Sequence, residues 1–320
     1  MKISVALCTY NGEAFIENQL KSIAEQTVKP FEIVVCDDGS TDQTVEKLHS
    51  MQVSMLIPIS IHINKVGLGV VRNFAQCISL CRGEYILLCD QDDVWYPNKV
   101  EKLMQKMIQT ETEYSTRIPV LVHSDLEVVD SSCQKLASSF FSLQNIQNVV
   151  QALPTLLVQN FVTGCTCMIN RSLVNYALPM PDTAIMHDWW LALVASSVGC
   201  IAFVPECTVK YRQHGHNTVG AKGFLSIHSV RKAIRWDALN RQLTNKILQA
   251  EALENHLKSI CAAVPEVLLA YNGAMRASLF SRISTVFRYH IFMQGTVKNL
   301  WFFFLLLVGQ YKRHLRSKKL

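Results

Sequence analysis

GEYILLCDQDDVWYPNKV, residues 83–100, holds an apolar run, an acidic loop and a helix start within one short stretch. Glu84 to Cys89 reads as a buried strand. It delivers Asp90, Asp92 and Asp93 into the loop that follows, and Pro97 opens a helix expected from Asn98 to about Gln109. Three carboxylates packed so closely repel one another and raise their own pKa values unless a cation or a basic group neutralises them. Mg²⁺ or Mn²⁺ does this well, because an ion held by one or two carboxylates keeps open positions for diphosphate oxygens. The alternative is a solvated acidic loop that caps the helix after it.

Working outward, the same strand-then-helix unit recurs on the N-terminal side. Ile3 to Leu7, Phe31 to Cys36 and Ile57 to Ile63 read as strands. Glu13 to Gln26, Asp42 to His49 and Val70 to Cys81 carry helical spacing. Strands alternating with helices imply an α/β fold, a mainly parallel sheet covered on both faces, with ligands at the carboxyl ends of the strands. Those ends hold Thr9-Tyr10-Asn11, Asp37 to Ser40, and Asp90 to Asp93. On the C-terminal side, Pro119 to His123 and Phe161 to Ile169 are strand-like, His187 to Ser197 is helical, and Cys200 to Phe203 is a short strand. Ser131 to Pro154 reads as loop and short helix.

Three further groups offer chemistry. Cys36-Asp37-Asp38-Gly39-Ser40-Thr41-Asp42 combines two carboxylates with a turn and a helix start. Asp38 can accept from a base or ribose, or the pair can simply shape the turn. Met186-His187-Asp188-Trp189-Trp190 sets a carboxylate at the start of an apolar helix. Apolar surroundings lift such a group toward the range useful for accepting a proton, although an Asp there also serves as a plain cap. Lys210-Tyr211-Arg212-Gln213-His214 can grip a diphosphate or can form an exposed basic hinge.

Taken in order, VALCTYNGEAFIENQLKSIAEQT, VVCDDGSTDQT, LLCDQDDVWYPNKV and the late HDWW with YRQHGHN resemble the family 2 glycosyltransferases of GT-A fold, most closely their bacterial rhamnosyltransferase-like branch. The resemblance covers residues 1 to 217. It implies an inverting transfer of a sugar, L-rhamnose from dTDP-rhamnose being the specific expectation, from a nucleotide diphosphate to a cell-surface polysaccharide or lipid-linked glycan. By that similarity Thr9, Tyr10, Glu13 and Asp38 line the nucleotide pocket. Asp90 and Asp92 are the ends of a DXD motif, with Asp92 the direct metal ligand and Asp93 next in line. Asp188 is the base, and Arg212 and His214 contact the diphosphate. Gly164 and Asp125 resemble acceptor-side and donor-side positions.

The charge is divided unevenly. The first 215 residues carry 15 Lys/Arg against 21 Asp/Glu, and the remaining 105 carry 16 against 4. A helical, cationic C-terminal region, 218–320, is therefore expected after the catalytic domain, 1–217, with a boundary between Gly215 and Gly223. The run Leu300 to Gly309 is half the ~20 residues that span a bilayer, so it either lies on an anionic membrane or packs as an ordinary helix. The 11 cysteines are odd in number and sit in apolar stretches, which fits reduced thiols in a cytoplasmic protein, peripheral at the inner membrane face. Cys165-x-Cys167 would put two thiols on one side of a strand, without the partners a zinc site needs. The N-terminus lacks a charged segment followed by an apolar one, so no secretory leader is expected. Competing readings are a metal-dependent nucleotidyltransferase, which would place a Gly-rich loop where Thr9-Tyr10-Asn11 stands, and a nucleic-acid-binding module using the basic part, which leaves the acidic loop without a purpose.

Overall fold

A computed structural model describes residues 1–147, 152–215 and 236–308. The N-terminal units form as expected: β1 (Ile3–Thr9), α1 (Ile16–Ala24), β2 (Glu32–Asp37), α2 (Thr44–Ser54), β3 (Ile59–Ile63), α3 (Val70–Leu80) and β4 (Tyr85–Asp90). Strands β3, β2, β1 and β4 lie side by side, all parallel. Alternate residues feed two separate cores. Ala6, Val34, Cys36, Ile86 and Leu88 face one, and Val5, Leu7, Ile33, Val35 and Leu87 face the other. A strand buried on both sides must read as a continuous apolar run, which is why β1, β2 and β4 were legible, whereas the edge strand β3 alternates isoleucine with Ser60 and His62.

The second half departs from its reading. After β5 (Val94–Trp95) and α4 (Lys99–Tyr114), β6 runs from Val120 to Val129, six residues beyond the expected end, and carries β7 (Lys135–Ala137) at its edge. The Ser131 to Pro154 stretch contributes β7 and two short helices, α5 (Phe140–Gln144) and α6 (Ala152–Leu156). Phe161 to Ile169 is not one strand. Gly164–Thr166 is a 3₁₀ turn, closed by Thr166 and Cys167 amides donating to the Thr163 and Gly164 carbonyls, and only β8 (Met168–Asn170) pairs, antiparallel, with β4 and β6. The turn also sends Cys165 and Cys167 into different cores, so they do not share a side. Helices α7 (Arg171–Ala177) and α8 (His187–Val198) follow. Strand β9 (Cys200–Arg212) is thirteen residues rather than four. It tolerates Pro205 because its parallel pairing with β6 shifts register on either side of Asp125, leaving the proline out of the ladder.

The sheet order is β3-β2-β1-β4-β8-β6-β9-β5. Residues 216–235, which include most of the expected boundary, lie outside the described residues. Beyond them come α9 (Trp236–Ser259), α10 (Glu266–Arg276), α11 (Leu279–Arg288) and α12 (Thr296–Val308). These helices pack onto the sheet's helical layer: Leu243, Leu257, Tyr271, Val286 and Phe302 share a core with Phe74 of α3 and Trp190 of α8. Trp190 donates to the Ala177 carbonyl at 2.9 Å and meets His256 of α9 edge-on, and Gln249 accepts from the Ile185 amide at 2.7 Å.

Candidate active site

The carboxyl ends of β1, β2 and β4, the turn before β8 and the start of α8 open onto one cleft of about 1150 Å³. Thr9, Tyr10, Glu13, Asp38, Asp90, Asp92, Asp188 and His214 all line it. Residues separated by up to two hundred positions are thus brought to a common surface, as strand-end loops of a parallel sheet are.

The first loop pair is fixed by carboxylates. Buried Asp37 accepts from Thr9 Oγ1 (2.7 Å), Ser40 Oγ (2.6 Å) and the amides of Gly39 and Ser40, and Gly39 takes φ +84° to make the turn. Asp38 accepts from the Leu68 amide (2.7 Å), the Gly69 amide (2.9 Å) and Asn64 Nδ2 (3.0 Å), so it shapes the 64–69 loop at the cleft wall. Glu13 accepts from the Gln43 amide at 2.8 Å, tying the segment before α1 to the start of α2. Gln91 clips the Tyr10 backbone from both sides: its Oε1 accepts from Tyr10 N at 2.8 Å and its Nε2 donates to Tyr10 O at 2.9 Å.

The acidic loop splits into an outer and an inner part. Asp90 and Asp92 face the cleft, and His214 Nε2 lies 2.8 Å from Asp92 Oδ2 with its ring stacked on Phe15. Asp93 turns inward, fully buried, with Oδ1 accepting from the Arg212 amide at 3.1 Å. Asp90, Asp93 and the Cys165 thiol bring one ligand atom each within 4.8 Å of one another, an acidic site of a kind that could hold a metal. Burial, then the charges of Asp92 and Asp188, push Asp90 up to about 7, against the pull of the Lys99 ammonium. Burial, then the charges of Asp92 and Asp90, push Asp93 well above its usual range. Such mutual repulsion among Asp90, Asp92 and Asp93 is of the kind that a cation relieves.

Lys99 lies wholly buried beneath this loop, its ammonium against the Cys165 carbonyl and 3.9 Å from the centre of the Trp95 ring. Arg212 is also buried. Its guanidinium donates to the Asp92 carbonyl (2.8 Å) and the Ser131 carbonyl (2.6 Å) and covers the Phe15 ring, so it holds the acidic loop from behind.

Across the cleft, Asp188 stands in the first turn of α8. Its Oδ2 accepts from the Gly164 amide at 2.9 Å, and its Oδ1 from the Trp189 amide at 2.6 Å and Asn160 Nδ2 at 3.2 Å. Burial outweighs these hydrogen bonds and lifts it to about 6. It is a fixed carboxylate, ionised at neutral pH yet basic enough to accept a proton. His187 beside it is kept neutral, burial pushing it down to about 3, and stacks on Phe74 with ring centroids 3.7 Å apart. Asp125 is taken up by the chain after β7, accepting from Ser139 Oγ (2.5 Å) and the Phe141 amide (3.2 Å).

Asn160, Gln91, Phe15, Lys99 and Lys298, the last at the cleft edge, were not singled out by sequence. Gln91 sat in view between two acids. The others act through contacts with distant parts of the chain, for which no local signal exists.

The chain matches the model for glycosyl transferase family 2 over residues 4–175. It is 29% identical over 231 residues to the dTDP-rhamnosyl transferase RfbG of Shigella flexneri, covering 67% of this chain and 74% of that one. It is 23% identical over 257 residues to the UDP-Glc:alpha-D-GlcNAc-diphosphoundecaprenol beta-1,3-glucosyltransferase WfgD of Escherichia coli, covering 80% and 92%. Among solved structures, S. aureus TarS 1-349 in complex with UDP-GlcNAc superposes with a TM-score of 0.58 at 13% identity, covering all of this chain and 92% of that one. The mannosyltransferase PcManGT of Pyrobaculum calidifontis, solved with GDP-Man and Mn²⁺, gives 0.54 at 14% identity over 98% and 83%. The fold is therefore GT-A, and with more than half of its length matched the chain belongs to glycosyl transferase family 2.

Proposed function

We propose that this glycosyltransferase performs an inverting transfer of L-rhamnose from dTDP-rhamnose to a hydroxyl of a lipid-linked glycan during polysaccharide assembly at the inner membrane face. The observation that carries the reading is the meeting of Asp90, Asp92 and Asp188 on one cleft, with Asp188 lifted to about 6. The similarity to RfbG supports the donor, and that to WfgD, by its name, a diphosphate-linked lipid acceptor.

In this mechanism the acceptor hydroxyl attacks the anomeric carbon from the face opposite the diphosphate. The new C–O bond forms as the bond to the diphosphate oxygen breaks, and Asp188 takes the hydroxyl proton. Gly164 N, Trp189 N and Asn160 hold the carboxylate in place throughout. Asp92 and Asp90 would hold the metal, and His214, 2.8 Å from Asp92 Oδ2, adjoins them. When bound, Mg²⁺ or Mn²⁺ offsets the charge that develops on the leaving diphosphate. Arg212 and Lys99 keep the loop in shape behind the ligands, while Thr9, Tyr10, Glu13 and Asp38 form the nucleotide wall.

The test is a panel of nucleotide sugars, dTDP-rhamnose and UDP-glucose among them, incubated with Mn²⁺ or Mg²⁺ while released nucleotide is measured. Metal-dependent release from dTDP-rhamnose above the others supports the reading. Release from a different donor refutes the rhamnose assignment alone, and no release from any donor refutes the transferase mechanism.

A further inference from the structure

Helix α12 is apolar on two sides. Phe302, Leu305 and Leu306 are buried against the core, and Arg282 of α11 donates to the Leu306 carbonyl at 2.6 Å. On the other side Val297, Leu300, Leu307 and Val308 recur at helical spacing and are 54%, 65%, 56% and 41% exposed, with Trp301 and Phe304 on the same stripe. Helix α11 adjoins it with Phe280, 84% exposed, and Phe287, which stacks on Phe303 of α12 at 5.5 Å between ring centroids. An exposed apolar face of this extent marks an interaction surface.

Its electrostatic setting selects the partner. From Val267 to Leu320 the chain has nine Lys/Arg and no Asp/Glu, and five of the nine, Lys312, Arg313, Arg316, Lys318 and Lys319, follow α12. A second copy of this chain would bring the same excess of basic residues. An anionic lipid surface brings the complement. No helix among the described residues is long and apolar enough to cross a membrane, and thirteen residues with a one-sided exposed stripe suit a helix lying along the interface.

The stripe is tied to the cleft. Lys298, in the first turn of α12, lines the cleft itself. Just before it, the Gln294 amide donates to Gln159 Oε1 at 2.7 Å, and Gln159 precedes Asn160, the residue that donates to Asp188. Lys246 of α9 shares this corner: burial and then the charge of Lys298 push it down to about 8, so an anionic group there is favoured.

We propose that the exposed face of α11 and α12 docks on an anionic phospholipid bilayer, holding the cleft mouth at the surface where a lipid-linked acceptor presents its sugar. The acceptor half of this statement rests on the transferase reading; the docking does not. Co-sedimentation of the full chain with vesicles containing phosphatidylglycerol, against vesicles of phosphatidylcholine alone, is expected to pellet the protein only with the former, and less so at high salt. Leu300→Glu combined with Leu307→Glu is expected to lower partitioning by more than about tenfold, since two leucines leave the interface. Vesicle-free donor hydrolysis should stay at the parent level. Replacing Lys312, Arg313 and Arg316 by Glu should weaken binding as well. Absence of pelleting with anionic vesicles, pelleting that both variants leave intact, or self-association in sedimentation equilibrium that the leucine pair abolishes would each overturn the proposal. Donor hydrolysis in solution, measured alongside, reports on the reaction separately.

Discussion

In the proposed mechanism Asp188 and Asp92 divide the work between proton and charge, and each role has its own signature. Because Asp188 must be ionised to accept a proton and is lifted to about 6, kcat/KM is expected to fall tenfold per pH unit below about pH 6 and to level off above it. A pH profile with no break between 5 and 7, read from nucleotide release, would contradict the assignment. The same carboxylates bear on stability. Asp90 stands near 7 in the folded protein against 3.8 for a free aspartate side chain, so the folded state binds the proton more tightly than the unfolded chain. Metal-free stability is then highest below about pH 4 for this group and declines as pH rises through 7. Added Mn²⁺ is expected to raise Tm more at pH 8 than at pH 5.5, in a thermal melt followed by fluorescence; an equal shift at both would count against a site at Asp90. The acids themselves were legible because Asp90, Asp92 and Asp188 sit in short motifs at element ends. The partition of Asp93 inward and Asp92 outward was not, since it depends on Arg212 reaching the loop from the end of β9, far along the chain.

At the scale of elements, the turn before β8 does the positioning. A Cβ on Gly164 would lie 2.7 Å from His187 Nε2 and 3.5 Å from Asp188 Cβ, while its amide holds the Asp188 carboxylate. Gly164→Ala is therefore expected to displace Asp188, costing about 1–3 kcal/mol of stability and lowering kcat more than donor affinity. Urea melts and isothermal titration with nucleoside diphosphate separate the two effects; unchanged kcat would show that the turn is not a support for the base. This turn was misread as strand because TGCTCMIN is small and apolar throughout, and hydrophobic runs do not reveal a reversal that backbone hydrogen bonds at Thr163 and Gly164 create. The first four strands gave no such trouble: β1, β2 and β4 are buried runs, and β3, at the sheet edge, alternates isoleucine with Ser60 and His62. Strand β9 was read only as far as Phe203, and the register shift opposite Asp125 is what lets it continue past Pro205.

For the molecule as a whole, the uneven charge was readable from counting alone, and the packing was not. The basic helices are not a separate cationic appendage in contact terms, since Leu243, Leu257, Tyr271 and Phe302 complete the core around Trp190. Calorimetry is accordingly expected to give one unfolding transition, and Trp190→Ala to destabilise the whole by about 3–5 kcal/mol. Two separated transitions, with only one moved by Trp190→Ala, would contradict that coupling. The shared core also explains how a helix as remote in sequence as α12 comes to border the cleft, and so why surface contact and catalysis can meet in one place. The most direct trial of the account is the rate of metal-dependent nucleotide release with acceptor present, at pH 8, for Asp188→Asn against the parent chain. With Tm and donor binding unchanged, the account expects the rate to fall about 10²–10⁴-fold; a rate within a few-fold of the parent would contradict it.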